Sequence, residues 1–250
     1  GQRRALAYVT PATELPPRWS VRFEAVGGVA LARLPQALQR EAFAALRGAA
    51  SVSVRDRVTQ ATLARAGIAA ALVRDPAATA AATFAAAIAR HAAGPALAPI
   101  VGALPRRLTL QVAAEWGDDA TLDAIAGAAA ATATRLAAGI VLFRAGLAPW
   151  HDDAAVLERL AARIRARMPH IGVAHFDSAH VFDLCALLAG ACGHVGTSLH
   201  AWIVADSARA PACCLVASAD AKAAAYLDTW CGSARRWASL AELGTGASLL

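Results

Sequence analysis

The chain has 250 residues, 58% of them hydrophobic, and a formal net charge of +6 at pH 7. This length can bury a sizeable core, in one domain or in two small ones. A membrane-spanning protein is disfavoured because no uninterrupted apolar run reaches the ~20 residues that a span needs. A nucleic-acid-binding protein is disfavoured because basic residues are not interleaved with aromatic ones. The positive charge is nearly all arginine, and it indicates either solvated helix faces or attraction to anionic substrates or a membrane surface.

The cysteine pattern indicates a reducing compartment. The cysteines are at positions 185, 192, 213, 214 and 231. They form no Cys-x-x-Cys pair, and an odd number in apolar surroundings is typical of reduced thiols in a cytoplasmic protein. No group of histidines, cysteines and carboxylates has the spacing of a zinc motif, so neither a metal site nor a cofactor is predicted.

The first 93 residues predict a partial α/β layer. Apolar runs predict strands over residues 6–9, 51–54 and 70–73, and helical spacing predicts helices over residues 36–46 and 58–66. Residues 18–34 predict irregular structure around two adjacent glycines, and residues 77–91 predict an alanine-rich helical connector. The next stretch, residues 94–105, is rich in proline and glycine and is typical of a linker.

The remaining residues, 106–250, predict an alternation of short apolar strands and amphipathic helices. Strands are expected at residues 108–113, 140–144, 171–176, 192–195 and 212–217. Helices are expected at residues 120–138, 154–168, 181–189, 199–209 and 221–230, with a final helix and tail over residues 239–250. This alternation is typical of a parallel sheet covered on both faces. The sequence therefore predicts two α/β domains, residues 1–93 and 106–250, joined by the linker.

A strand–turn–helix–strand segment, residues 191–217, is the most informative part of the chain. Gly196, Thr197 and Ser198 form its turn, and Ser198 stands where a helix N-cap is expected. The amides of the first helical turn have no helical partner and the helix dipole is positive there, so the turn predicts an anion-binding site. His200 lies on that site.

The same segment resembles the polysaccharide pyruvyl transferase family, whose members carry Gly-(Thr/Ser)-(Arg/Ser)-Leu-His and then a proline before a buried strand. This chain has Gly-Thr-Ser-Leu-His at residues 196–200 and the proline at Pro211. A Ser-x-Arg-Asp signature is matched at residues 53–56, and an Asp-Pro pair is matched at residues 75–76. A looser His-Asp-Asp run is matched at residues 151–153. The resemblance extends over roughly residues 27–217.

The resemblance implies a fold of two Rossmann-like α/β domains in a glycosyltransferase-B-type architecture. Family members usually begin with a Gly-Asn-x-Gly-Asp turn and two further βα units, and neither is found in this chain. The first domain is therefore expected to be truncated at its N-terminus.

The resemblance also implies a transferase that moves a pyruvyl group from phosphoenolpyruvate to a pair of sugar hydroxyls, forming a ketal. The acceptor would be a saccharide or lipid-linked saccharide of a cell-envelope or exopolysaccharide precursor. His200 is expected as the acid/base group, since a helix N-terminus favours neutral imidazole. Arg55 is expected as the anion clamp, because a guanidinium binds carboxylate or phosphate in a fork. Both residues follow predicted strands, where such sheets bind ligands, so Arg55 is expected to point towards His200.

Other residues at or near the carboxyl ends of the predicted strands are expected to bind substrate. They are Gly196, Thr197, Ser198, His151, Asp152, His175 and Asp56. Many family members carry arginine where this chain has Ser198, so the predicted site has one cation fewer. A competing interpretation treats Arg55 and Asp56 as a helix N-cap with a surface ion pair. His91 and His194 are predicted to be structural.

Two other functions fit the same residues. One is a glycosyltransferase with a nucleotide-sugar donor, whose diphosphate would use the same helix N-terminus. The other is an inactive homologue that only binds a ligand. In the leading interpretation phosphoenolpyruvate is the donor substrate and no nucleic acid is a partner. The expected location is the cytoplasm, with peripheral association at the inner face of the membrane as an option.

Overall fold

The structure, a computed structural model, describes residues 9–16, 18–148, 150–219, 221–232, 237–243 and 249–250. The chain forms two compact units. The small unit comprises Gly1–Pro76 and Asp220–Arg235, and the large unit comprises Ala77–Ala219 and Arg236–Leu250. Each unit has its own parallel sheet.

The strands, in chain order, are β1 (Arg22–Val26), β2 (Ser51–Val54), β3 (Ala71–Leu72), β4 (Arg107–Gln111), β5 (Gly139–Phe143), β6 (Val173–Phe176), β7 (Gly193–Gly196), β8 (Ala212–Val216) and β9 (Trp237–Ser239). The helices are α1 (Gln36–Arg47), α2 (Arg57–Arg65), α3 (Ala80–Thr83), α4 (Ala85–Ala92), α5 (Ala98–Ala103), α6 (Asp119–Arg135), α7 (Ala154–Arg167), α8 (Val181–Ala189), α9 (Leu199–Ser207), α10 (Lys222–Trp230) and α11 (Leu240–Leu243). The strands predicted between residues 51 and 217 all form, with ends that differ from the prediction by at most two residues.

The small unit has a three-stranded sheet in the order β1-β2-β3. Phe23 and Val54 are buried in its apolar core, and α2 packs against α10. The sequence predicts irregular structure over residues 18–34, around Gly27 and Gly28, where the structure has β1. Two charged residues of β1, Arg22 and Glu24, alternate with its apolar residues. The structure exposes these two charged residues and buries Phe23 and Ala25. The alternation of an edge strand is therefore present, but over too few residues to be predicted from the sequence.

The large unit has a six-stranded sheet in the order β6-β5-β4-β7-β8-β9, and every neighbouring pair is parallel. Helices α6, α7 and α11 cover one face over a core that includes Leu108, Leu110, Ile140 and Leu142. Helices α8 and α9 lie on the other side, where they contact α4 and α3. This is the Rossmann-like arrangement that the sequence predicts, and its strand order reverses between β4 and β7.

The proline- and glycine-rich segment 94–105 is not an extended linker. It contains α5, and Leu97 and Ile100 are buried there. Pro99 is tolerated because it lies in the first helical turn, where its missing amide has no helical partner to lose. The small unit ends at Pro76 and also includes α10, so the structure divides the chain at positions other than those of domains 1–93 and 106–250.

The ends of the chain are described in part. The strand predicted over residues 6–9 falls mainly outside the described residues. Near the other end the structure forms β9, which the sequence does not predict, and α11, while residues 244–248 lie outside the described residues. Among the residues that are described, no helix is both long enough and apolar enough to cross a membrane.

Candidate functional site

The candidate site of the large unit lies at the carboxyl edge of its sheet, where the strand order reverses. The turn after β7, residues 196–200, is termed the His200 turn and stands beside the segment that follows β4. Connections after the two adjacent strands lead to opposite faces of such a sheet and leave a crevice between them, where ligands bind.

Gln111, the last residue of β4, holds the His200 turn in place. It is almost completely buried and lies opposite Gly196 in the β4–β7 ladder. Its backbone oxygen accepts the Thr197 amide at 3.1 Å. Its Oε1 accepts the Ser198 amide at 2.9 Å and the Thr197 hydroxyl at 3.2 Å. The Thr197 hydroxyl also accepts the Ala113 amide at 3.0 Å, so a small hydrogen-bond network fixes the turn to β4.

Gly196 is needed because of close packing between the two strands. A Cβ atom at this position would lie 2.9 Å from the Gln111 carbonyl oxygen and 3.1 Å from Cε1 of His194. A larger residue would therefore force β4 and β7 apart and displace the network on which the turn depends.

Ser198 is the N-cap of α9, as predicted, and its Oγ accepts the Ala201 amide at 3.3 Å. Gln111 and Ser198 together satisfy the amides of Thr197, Ser198 and Ala201. Gln111 therefore takes up two amides of the turn that precede the helix, a contact that the sequence does not predict. An anion at this turn would depend on the helix dipole, worth about 0.3–1 kcal/mol, and on nearby side chains.

His200 is exposed in the first turn of α9 and also lines an apolar pocket of about 130 Å³. Phe143, Leu184 and Val204 contribute to the walls of this pocket, and Ser198 lies beside His200. An imidazole in this position can exchange protons with solvent and can also contact a group bound in the pocket.

His151 lies in the loop after β5, at the same edge of the sheet. Its Nδ1 is 2.9 Å from Oε2 of Glu115, and its carbonyl oxygen accepts the Ala114 amide at 2.8 Å. These contacts join the loops that follow β4 and β5. Asp152 is buried, and its Oδ2 accepts the Ala148 amide at 3.1 Å, so this carboxylate stabilises the loop from within.

His175 lies inside β6, opposite Leu142 of β5. Its Nε2 is 3.5 Å from Oε2 of Glu158 on α7, and only 21% of its side chain is exposed. Since α7 and α9 cover opposite faces of the sheet, the structure does not bring His175 together with the His200 turn.

In the small unit, Arg55 and Asp75 form an ion pair at the carboxyl ends of β2 and β3. Nη1 of Arg55 is 2.7 Å from Oδ2 of Asp75, and the two side chains are 18% and 8% exposed. Because β2 and β3 are neighbours in the sheet, the pair joins two motifs that are 20 residues apart along the chain. Breaking such a shielded pair on one side leaves an uncompensated charge.

Asp56 is the N-cap of α2 and is 1% exposed. Its Oδ1 accepts the Thr59 amide at 2.7 Å and its Oδ2 accepts the Thr59 hydroxyl at 2.8 Å. The same hydroxyl accepts the Gly28 amide at 2.8 Å. The N-cap half of the competing interpretation is therefore confirmed, whereas the ion pair of Arg55 is made with Asp75.

Arg55 also lines a pocket of about 400 Å³ in the small unit, together with Arg33 and Lys222. We term it the Arg55 pocket. A Cβ atom at Gly27 would lie 3.0 Å from Nε of Arg55, so glycine lets the guanidinium lie against the loop after β1. Three cationic side chains around one pocket suit a ligand with more than one negative charge.

His194 lies in β7 and is fully buried. Its Nδ1 is 3.1 Å from the hydroxyl of Thr109 on β4. Burial lowers the pKa of His194 to about 3, so the ring is neutral at physiological pH. The neutral ring packs beneath Gly196 and has the structural role that the sequence predicts.

Sequence reasoning missed Gln111, Glu115 and Arg144. Each is a polar residue at or just beyond the end of a buried strand. Such residues could be found in the sequence by looking for the first polar side chain after each apolar run. Arg144 directly follows β5 and gives this edge of the sheet an arginine, although Ser198 stands where many relatives carry one. The partnership of Arg55 with Asp75 had no signal in the sequence, because it depends on strand order.

A comparison with known protein families shows which family the chain belongs to. Residues 28–218 match the polysaccharide pyruvyl transferase family, and this match covers more than half of the chain and all four motifs. The chain belongs to the polysaccharide pyruvyl transferase family. No curated protein sequence matches it significantly.

Two solved structures show the fold of this polysaccharide pyruvyl transferase family member. UDP-GlcNAc 2-epimerase from Methanocaldococcus jannaschii matches with a TM-score of 0.62 and 11% identity, over 92% of this chain and 63% of the epimerase. A UDP-forming α,α-trehalose-phosphate synthase from Burkholderia xenovorans matches with a TM-score of 0.57 and 13% identity, over 94% of this chain and 60% of the synthase. Their glycosyltransferase-B-type folds confirm the predicted fold class, and the chain spans less than two thirds of either protein.

Proposed function

We propose that this family member transfers a pyruvyl group from phosphoenolpyruvate to a pair of sugar hydroxyls on a polysaccharide precursor. Family membership supports a transferase that acts in polysaccharide modification. The observation that carries the finer proposal is His200, which occupies the family's Gly-Thr-Ser-Leu-His turn and is exposed where the strand order of the large sheet reverses.

The proposed reaction joins C2 of phosphoenolpyruvate to two sugar oxygens and releases inorganic phosphate. Addition of the first hydroxyl to C2 is accompanied by transfer of a proton to the C3 methylene, which becomes a methyl group. The second hydroxyl then displaces the phosphate from C2, and its proton leaves with the phosphate. In this scheme His200 delivers and accepts the protons, since imidazole is the side chain best suited to proton exchange near neutral pH.

Arg55 is proposed to bind the negative charge of phosphoenolpyruvate. Asp75 orients its guanidinium, and Arg33 and Lys222 add positive charge to the same pocket. A guanidinium carries several N–H donors in a fixed plane, which matches the oxygens of a carboxylate or a phosphate. In the large unit, Arg144 is proposed to supply positive charge in place of the arginine that Ser198 replaces.

Trp150 supports a saccharide as the acceptor. It is 82% exposed in the loop after β5, directly before His151. The loop is held by the Asp152 carboxylate from within, and it presents an indole whose broad face and N–H group suit the partly apolar, partly polar surface of a sugar ring. We propose that the acceptor, free or lipid-linked, contacts this indole.

The proposed location is the cytoplasm. All five cysteines are reduced thiols, and three of them are buried, which is typical of a protein in a reducing compartment. A lipid-linked acceptor would bring the protein to the inner face of the membrane, and the arginine-rich surface is compatible with anionic headgroups there.

The test is a coupled assay with phosphoenolpyruvate and a panel of free and lipid-linked saccharides. Phosphate should be released only when donor and acceptor are both present, and mass spectrometry should detect a pyruvyl ketal on the acceptor. His200→Ala should abolish most of this activity, while His170→Ala, a change at an exposed histidine outside the site, should not. Equal activity of the parent and His200→Ala would contradict the proposal.

A ligand screen separates this proposal from its two alternatives. Thermal stabilisation by phosphoenolpyruvate supports pyruvyl transfer, because a ligand that binds only the native state raises its stability. Stabilisation by UDP or a UDP-sugar instead favours a nucleotide-sugar glycosyltransferase. Binding of phosphoenolpyruvate without turnover, for every acceptor in the panel, favours the inactive homologue.

A further inference from the structure

Two histidines and one aspartate come together in the large unit, on the side of α8 that contacts α4. His91 lies on α4, His180 is the N-cap of α8, and Asp183 lies in the first turn of α8. We term these three residues the His91 cluster. They are not part of the His200 turn, and the proposed pyruvyl transfer makes no use of them.

The Asp183 carboxylate is buried at the centre of the His91 cluster. Its Oδ1 is 2.6 Å from Nδ1 of His91. Its Oδ2 accepts a hydrogen bond from the Ser178 hydroxyl at 2.5 Å, and the same hydroxyl oxygen accepts the His180 amide at 3.2 Å. The hydroxyl therefore fixes one oxygen of the carboxylate and leaves the other directed at the imidazole of His91.

The two imidazole rings are held parallel. Their centroids are 4.5 Å apart and their planes differ by 15°. Phe182 contacts both rings, at 5.7 Å from His91 and 5.9 Å from His180, and Phe84 contacts Phe182 at 5.5 Å. These ring contacts place both imidazoles beside one another at the junction of α4 and α8.

One ring nitrogen of His180 is already an acceptor. Its Nδ1 accepts the Phe182 amide at 3.3 Å, so this nitrogen presents a lone pair. This hydrogen bond is long and therefore weak, so a metal ion that took the lone pair would replace only a weak interaction. The lone pairs of the two stacked rings lie in nearly parallel planes, so one ring must turn about its Cβ–Cγ bond before both imidazoles and the carboxylate can face one ion. His91 also gives up its Nδ1 proton on binding a metal ion.

We propose that His91, His180 and Asp183 bind a divalent transition-metal ion, and that Zn²⁺ is the ion they fit best. One ligand atom from each residue can be chosen so that all three lie within 4.8 Å of one another. Tetrahedral zinc with bonds of about 2.0–2.1 Å has ligand atoms roughly 3.3 Å apart, so rotation of one imidazole ring and small shifts of the other side chains would complete the site. Two imidazoles and one carboxylate are typical zinc ligands, whereas Mg²⁺ and Ca²⁺ prefer oxygen ligands.

The expected consequence of metal binding is structural. The metal would connect α4 to α8 through side chains that are 92 residues apart, in place of the direct hydrogen bond between His91 and Asp183. A ligand that binds only the folded protein raises the unfolding temperature in proportion to the logarithm of its concentration above Kd. Zn²⁺ should therefore raise the unfolding temperature without changing the rate of any transfer reaction.

The test starts from the whole chain, dialysed against a chelator and then against metal-free buffer. Calorimetric titration with Zn²⁺ should show binding of one ion per chain, and elemental analysis should find it after removal of excess metal. Asp183→Asn, which keeps the size of the side chain, should weaken this binding by about 100-fold or more. His180→Asn should do the same, and it retains a residue that caps helices well. Ser178→Ala should weaken binding by about 10-fold to 100-fold, as expected for an outer-shell partner.

His170→Asn is the matched control, because His170 is exposed and lies outside the cluster. Substitution with Co²⁺ provides an independent readout, since a tetrahedral site gives an intense visible absorption that Asp183→Asn should remove. Equal Zn²⁺ affinity of the parent, Asp183→Asn and His180→Asn would overturn the proposal and place any bound ion elsewhere. Absence of Zn²⁺ binding by the folded parent would also overturn it and leave the His91 cluster as a hydrogen-bonded contact.

Discussion

The Arg55 pocket and the His200 turn are built by different forces. In the small unit, Arg55 is held by the charge of Asp75, and Arg33 and Lys222 line the same pocket. In the large unit, the turn is held by neutral hydrogen bonds from Gln111, and its one exposed titratable side chain among residues 196–200 is His200. In the proposed function, the Arg55 pocket binds the anionic donor and the His200 turn supplies the acid/base group.

The largest effect is expected for His200→Ala. It should lower kcat by about 100-fold or more, the usual scale for loss of a general acid/base, while the Kd of phosphoenolpyruvate changes only a few-fold. Steady-state kinetics and calorimetry on the folded variant would measure the two quantities. A kcat within a few-fold of the parent value would show that His200 takes no part in the chemical step. It would then contradict the proposed difference in role between the His200 turn and the Arg55 pocket.

Arg55→Ala is expected to affect donor binding more than kcat. Loss of a charge-assisted contact should weaken phosphoenolpyruvate binding by about tenfold or more, with a smaller change in kcat at saturating donor. Binding by the parent should also weaken as salt is added, and this salt dependence should decrease in the variant. Arg55→Lys, which keeps the charge but loses the planar fork, is the matched control. Unchanged affinity in Arg55→Ala would mean that the anion binds elsewhere.

The buried His194 should make the stability of the protein depend on pH. Its pKa is about 3 when folded and about 6.5 when unfolded, so between these values the unfolded chain binds the extra proton. Below pH 6.5 the free energy of unfolding should fall by about 1.4 kcal/mol per pH unit from this residue alone, and above pH 6.5 it should contribute no slope.

Denaturant unfolding of the parent and His194→Leu over pH 4–7 measures the contribution of His194. It appears as a difference between the two proteins in how steeply the free energy of unfolding changes with pH. The variant should lose less stability than the parent as the pH falls, although Leu also changes the packing against Thr109. His170→Leu, at an exposed position, should leave the slope unchanged. Identical slopes for the parent and His194→Leu would show that the ring is protonated, or solvated, in the folded protein.

The smallest effect is expected for Ser198→Arg. A cation at the start of α9 should tighten phosphoenolpyruvate binding by a few-fold, because it restores the charge that many family members carry there. The same change removes the N-cap of α9, which is typically worth about 0.5–2 kcal/mol of stability. Calorimetry should thus show tighter binding while thermal unfolding shows a lower midpoint. Unchanged or weaker binding would indicate that the His200 turn does not contact the anion.

Much of the large unit was predictable from the sequence, because each buried strand and amphipathic helix carries its own local pattern. Strands such as β5 and β8 are nearly continuous apolar runs, and Asp118 and Ser198 cap their helices where the sequence places them. The weak points were short or mixed segments. Strand β1 alternates over five residues only, and α5 contains both Pro99 and Gly102, which are typical of loops.

The candidate site was predictable only in part, for a related reason. His200, Arg55 and Ser198 belong to local motifs, so the sequence alone predicts them as site residues. The partners that fix them are distant in sequence: Gln111 reaches Ser198 across 87 positions and Asp75 reaches Arg55 across 20. No local pattern encodes such pairs, because they depend on which strands become neighbours.

The His91 cluster shows the same limit most clearly. The sequence predicts no metal site because no motif spacing is present, yet packing of α4 against α8 brings His91 within 2.6 Å of Asp183. By itself, the sequence determined the α/β class, the family and the motif residues, since hydrophobic periodicity and turn chemistry are local properties of the chain. The tertiary structure alone decided which buried polar groups meet, because the order of strands and the packing of helices arise from contacts between residues far apart in sequence.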